Sequence, residues 1–94
     1  MASGPANLID KHIEVRELRV PADEGQLSKV RDFVSTCCDE AGFSSRETNN
    51  TKLAVDEACT NIIKHAYSEV AGEIHIKAEI SSGNISIRLF DTGE

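Results

Sequence analysis

The stretch Glu73-Ile74-His75-Ile76-Lys77-Ala78-Glu79-Ile80-Ser81-Ser82-Gly83-Asn84-Ile85-Ser86-Ile87-Arg88-Leu89-Phe90-Asp91 reads as two strands folded onto each other. Ile74, Ile76, Ala78 and Ile80 alternate with His75, Lys77 and Glu79; after Ser82-Gly83-Asn84, Ile85, Ile87 and Leu89 alternate with Ser86 and Arg88. A period of two sends alternate side chains to opposite faces, and a short polar stretch with glycine reverses the chain, so this is a β-hairpin with one apolar face. Such a face needs a cover.

The cover lies upstream. Leu27, Val30, Val34, Cys37 and Ala41 recur at three and four residues while Lys29, Arg31, Asp32, Asp39 and Glu40 face outward, which predicts an amphipathic helix beginning near Ala22 or Asp23 and ended by Gly42. Ser44 followed by Glu47 has capping-box spacing, and a long helix then runs toward Tyr67 with the core stripe Val55, Ala58, Cys59, Ile62 and Ala66. Before both helices, His12 to Val20 alternates as a first strand, with a phase slip at Arg16-Glu17 read as a bulge, and Pro21 ends it. The expected fold is α+β: a two-layer α/β sandwich with helices on one face of a mixed or antiparallel sheet. Residues 1–11 have almost nothing to bury and read as a disordered start.

Composition narrows the function classes. A chain of 94 residues with 39% hydrophobic and 28% charged residues is one domain or part of one. Ten Lys and Arg against sixteen Asp and Glu leave a net charge of -6 and no basic stripe, which argues against nucleic acid as a partner. Nothing approaches the roughly 20 apolar residues of a membrane span. The three cysteines are odd in number, and Cys37 and Cys38 are adjacent, so a reducing cytoplasm is the expected compartment. Zinc finds no CxxC or paired histidines to support it.

Glu57, Asn61 and His65 lie four residues apart, and each step of four turns only about 40° around a helix, so they form one polar line beside the apolar stripe. By spacing alone this is a solvated helix face with ordinary contacts between successive turns. Asp91-Thr92-Gly93, at the end of the hairpin, is by itself a common chain reversal.

Their order along the chain adds more. Lys52-Leu53-Ala54-Val55-Asp56-Glu57-Ala58-Cys59-Thr60-Asn61-Ile62-Ile63-Lys64-His65-Ala66-Tyr67, then a hairpin, then Asp91-Thr92-Gly93, closely resembles the anti-sigma-factor serine kinases of the GHKL (Bergerat-fold) ATPases. Glu57 and Asn61 stand where that branch has its Glu-x-x-x-Asn box running into His-Ala-Tyr, and Asp91 to Gly93 match the opening of its Asp-x-Gly-x-Gly box. The resemblance covers residues 12–94. It implies the N-terminal part of a Bergerat fold, with Asn61 holding the Mg²⁺ that bridges ATP phosphates, Glu57 as general base toward a protein serine, and Asp91 accepting from the adenine amino group. Lys64 would touch phosphate, and Gly93 would let the backbone approach the nucleotide. The implied partners are a sigma factor and a STAS-domain anti-anti-sigma protein, with a homodimer expected. Ile62 stands where the family commonly has a small residue. The sequence ends at Glu94, before the second glycine, the ATP lid and the distal glycine box, so a partial domain is expected, exposing a sheet edge. The alternative is a nonenzymatic binding module with a vestigial nucleotide site.

Overall fold

The computed structural model describes residues 13–65 and 72–91. Strand β1 spans Glu14–Pro21, helix α1 Leu27–Ala41, helix α2 Ser45–Lys64, strand β2 Glu73–Ser81 and strand β3 Asn84–Asp91. The expected disordered start lies outside the described residues. The three strands form one sheet in the order β1-β2-β3, with both pairings antiparallel, and the two helices cover one face of it.

Each boundary has a local cause. Ahead of α1, Glu24–Gln26 form a single 3-10 turn, so the regular helix starts at Leu27, later than the apolar spacing predicts. Gly42 closes α1 at φ +83°, a left-handed conformation that costs glycine nothing, and donates to the carbonyls of Cys38 and Asp39. At the start of α2 the Ser44 side chain accepts from the Glu47 amide at 3.1 Å while the Glu47 carboxylate accepts from the Ser44 amide at 2.8 Å, completing the capping box. The hairpin reverses at Ser82-Gly83, where Gly83 takes φ +74° and its amide donates to the Ala41 carbonyl at 2.8 Å. The turn is thereby tied to the end of α1.

The core lies between the layers. Ile74, Ile76, Ala78 and Ile80 of the central strand are buried against Val30, Val34, Cys37, Cys38 and Ala41 of α1 and Val55 and Cys59 of α2. Each large apolar side chain so buried contributes about 1.5–3 kcal/mol before entropy is counted. Cys38, outside the expected stripe, is fully buried, whereas Ala58 and Ile62 are only half-buried. The inward residues of β3, Ile85, Ile87 and Leu89, are also half-buried, because β3 is the outer strand on that side of the described sheet.

Strand β1 corrects the expected bulge. Its register to β2 is unbroken, residue for residue, from Glu14 opposite Ile80 to Pro21 opposite Glu73. The apparent phase slip arises because Arg16 takes an inward position, opposite Ala78, while Val15 turns to the outer face and is 46% exposed. A long stem lets Arg16 lie over the core edge and place its guanidinium against Glu14 at 3.2 Å and Glu40 of α1 at 3.3 Å. The outer face is mostly polar, with His75 beside Glu17 at 3.0 Å and beside the Phe90 ring at 5.4 Å between centroids.

Candidate functional site

Helix α2 carries most of the predicted residues. Its buried side is set by Val55 and Cys59, which leaves Glu57, Asn61 and Lys64 exposed along the opposite crest. His65 closes the helix: its amide donates to the Asn61 carbonyl at 3.1 Å and its Nδ1 to the same carbonyl at 2.8 Å. Ala66 and Tyr67, onto which the helix was expected to continue, lie outside the described residues. Ile62, half-buried, packs against the main core cluster, so a large residue next to Asn61 is accommodated on the inward side.

Asp91 ends β3 on its helix-facing side. It stands opposite Ile74, which in turn stands opposite the buried Val20, and it follows Leu89 by one step on the same strand face. Gly93 lies outside the described residues.

A groove of about 560 Å³ runs between α2 and β3, within the size range of small-molecule sites. Ala54 and Ala58 line it from the helix, Ile85, Ile87 and Leu89 from the strand, and Phe43 joins them. Asn61 is three residues beyond Ala58 and so adjoins it on the helix surface, while Asp91 is two residues beyond Leu89 and shares its strand face. The amide and the carboxylate therefore extend the two walls of one groove.

A model of the histidine kinase-like ATPase domain matches residues 20–94. The chain belongs to that family. Among individual relatives, the serine-protein kinases RsbW of Bacillus thuringiensis (strain Al Hakam), Bacillus cereus (strain AH187) and Bacillus anthracis (strain A0248) are each 31% identical over 83 residues, covering 88% of this chain and 52% of the relative. The chain spans about half the length of the curated relatives it matches.

Two features of this histidine kinase-like ATPase domain escape a reading based on the apolar stripe. Leu53, one turn before Glu57, is 61% exposed. Beside it, Arg31 of α1 donates from Nε to Asp56 of α2 at 3.0 Å, pinning the helices together on the side away from β3. The signal for Leu53 was its phase: it falls off the Val55-Cys59 stripe and on the Glu57-Asn61 line. Among the described residues no group of three or more His, Cys, Asp or Glu is placed to hold a metal ion. Mg²⁺ needs no such group, since it keeps several waters and takes substrate phosphates with one or two protein oxygens, and the exposed amide of Asn61 fits that demand. No described helix is long and apolar enough to cross a membrane.

Proposed function

We propose that the full-length protein is an ATP-dependent serine-protein kinase and anti-sigma factor, a cytoplasmic homodimer that sequesters a sigma factor and phosphorylates a STAS-domain anti-anti-sigma partner. The observation carrying this reading is a groove between α2 and β3 whose last lining residues, Ala58 and Leu89, are followed at three and two residues by Asn61 and Asp91, with Glu57 one turn from Asn61 on the crest. The family match and the relatives named serine-protein kinase support it.

In this reading Asp91 accepts from the adenine amino group, and Gly93 allows the backbone to approach the nucleotide. The Asn61 amide oxygen holds Mg²⁺, which when bound neutralises charge on the phosphate oxygens, and Lys64 adds a point charge there. The Glu57 carboxylate takes the proton of the acceptor serine as its oxygen attacks the γ-phosphorus and the bond to ADP breaks.

Phosphotransfer by the full-length protein tests the reading. Glu57→Ala should lower transfer by roughly 10²–10⁴ with nucleotide affinity nearly unchanged, because a general base acts mainly in the transition state. Asn61→Ala should instead weaken Mg²⁺-dependent nucleotide binding. Normal phosphate transfer by Glu57→Ala would remove the base assignment.

A further inference from the structure

We propose that the shallow recess between α1 and α2, lined by Arg31, Asn49, Lys52, Leu53 and Asp56, is the docking site for the phosphate-accepting protein, and that it receives an apolar side chain flanked by a carboxylate. The inference rests on the kinase reading above and adds to it the surface that selects the acceptor.

Three observations carry it. Leu53 is the most exposed of the large apolar side chains described, at 61%, and it is the only apolar residue among the five lining a recess of about 320 Å³. A leucine in that setting gains by meeting an apolar partner and gains nothing for the core. The charge of the recess also runs against that of the chain: Arg31 and Lys52 against Asp56 alone, on a protein of net charge -6. Asp56 engages only Nε of Arg31, and a guanidinium has four more N–H donors with which to meet a carboxylate. The third observation is position. Leu53 lies four residues, about 6 Å along the axis, before Glu57, on the α1 side of the crest, whereas the groove lined by Ala58 and Leu89 lies on the β3 side. An acceptor anchored at Leu53 reaches Glu57 from one flank while nucleotide reaches it from the other, so the two substrates do not compete for space.

The full-length protein and a STAS-domain protein bearing the acceptor serine provide the test. Leu53→Asp, at an exposed position, and Lys52→Glu, which leaves the Arg31–Asp56 pair intact, are compared with wild type by calorimetry in the presence of a non-hydrolysable ATP analogue. Leu53→Asp should weaken acceptor binding at least tenfold and Lys52→Glu about threefold or more, with nucleotide affinity and sedimentation unchanged. In turnover the loss should appear in KM for the acceptor and not in kcat. Unchanged acceptor affinity in both variants, with wild type still phosphorylating the acceptor, overturns the docking site and leaves the kinase reading standing. A shift in subunit stoichiometry in place of acceptor affinity also overturns it, since the recess would then be a contact between copies. A wild-type protein that neither binds nor phosphorylates the STAS-domain protein overturns the kinase reading and the docking site together.

Discussion

His65 donates from Nδ1 to the backbone carbonyl of Asn61 at 2.8 Å, so the histidine of the His-Ala-Tyr sequence terminates the helix that presents the candidate metal-binding amide. The ring adds a second donor to a carbonyl that already accepts the His65 amide at 3.1 Å, reinforcing the last turn of the helix.

Replacing that ring should loosen the site's support without touching its chemistry. His65→Ala is expected to cost about 0.5–1.5 kcal/mol of unfolding free energy and to speed amide exchange over the last turn of α2. Urea titration and exchange measurements check this, and an unchanged exchange rate at Lys64 and His65 contradicts it.

The capping box gives a matched control at the other end of α2. Ser44→Ala removes the oxygen that accepts from Glu47 and should cost about 1 kcal/mol, lowering Tm by several degrees in a domain of this size. Asn61 and Asp91 lie far along the groove from Ser44, so nucleotide affinity of the full-length protein should not change.

Asp91 should set base preference in the full-length protein. A carboxylate accepts from the amino group of adenine but meets the carbonyl oxygen of guanine with like polarity, a mismatch worth about 1–3 kcal/mol or roughly ten- to a hundredfold in affinity. Asp91→Asn can turn its amide to donate, and is expected to narrow the preference for ATP over GTP even where total affinity falls. Dissociation constants for both nucleotides decide the matter, and an unchanged ratio removes the adenine role.

The buried thiols predict a pH dependence. Burial, aided by Glu40 and Cys38 and opposed by Arg16, pushes the Cys37 thiol up to about 11 from an ordinary 9.0. A raised pKa means the folded state holds its proton more tightly than the unfolded chain, so this contribution is intact below about pH 9 and is lost as pH rises toward about 11. Unfolding free energy measured across that window should fall, and Cys37→Ala should flatten the fall. At pH 8 Cys37 of the folded protein should react with a thiol reagent on the order of 10²-fold more slowly than in the urea-unfolded chain.

Much of the architecture was legible because single residues had single uses. Ile74, Ile76 and Ile80 could only face a core, Ser44 and Glu47 could only begin a helix, and Gly42 and Gly83 fell where left-handed backbone was needed. Arg16 misled because an amphipathic side chain satisfied the inward face with its stem and the helix end with its charge, a solution that binary patterning reads as a slipped register. For the candidate site, spacing gave the Glu57-Asn61 line at the edge of the helix-sheet interface, where a cleft could lie, but not the residues that line the groove there, and Glu57 and Asn61 are exposed rather than desolvated. That groove lies between Ala54 and Ala58 of α2 and the inward residues of β3, and Asp91 comes to stand two residues beyond Leu89 on that strand face only through the strand register. Leu53 and the Arg31–Asp56 pair were hidden for a related reason: their meaning depends on which flank of α2 packs against α1, and one helix read alone does not show it.

The pairing of β1 with β2 has a kinetic corollary. The hairpin closes from neighbouring residues and the two helices meet across a short connection, but Glu14 finds Ile80 only after both helices have been crossed in sequence. Closing that long loop costs chain entropy that is recovered only once a helical layer and a hairpin already stand to receive the strand. The N-terminal strand should therefore zip on last and peel away first. Its amides should exchange by a sub-global opening that leaves His75, Lys77 and Glu79, whose amides face β3, protected, making the edge carrying Arg16 the least durable seam of the sheet.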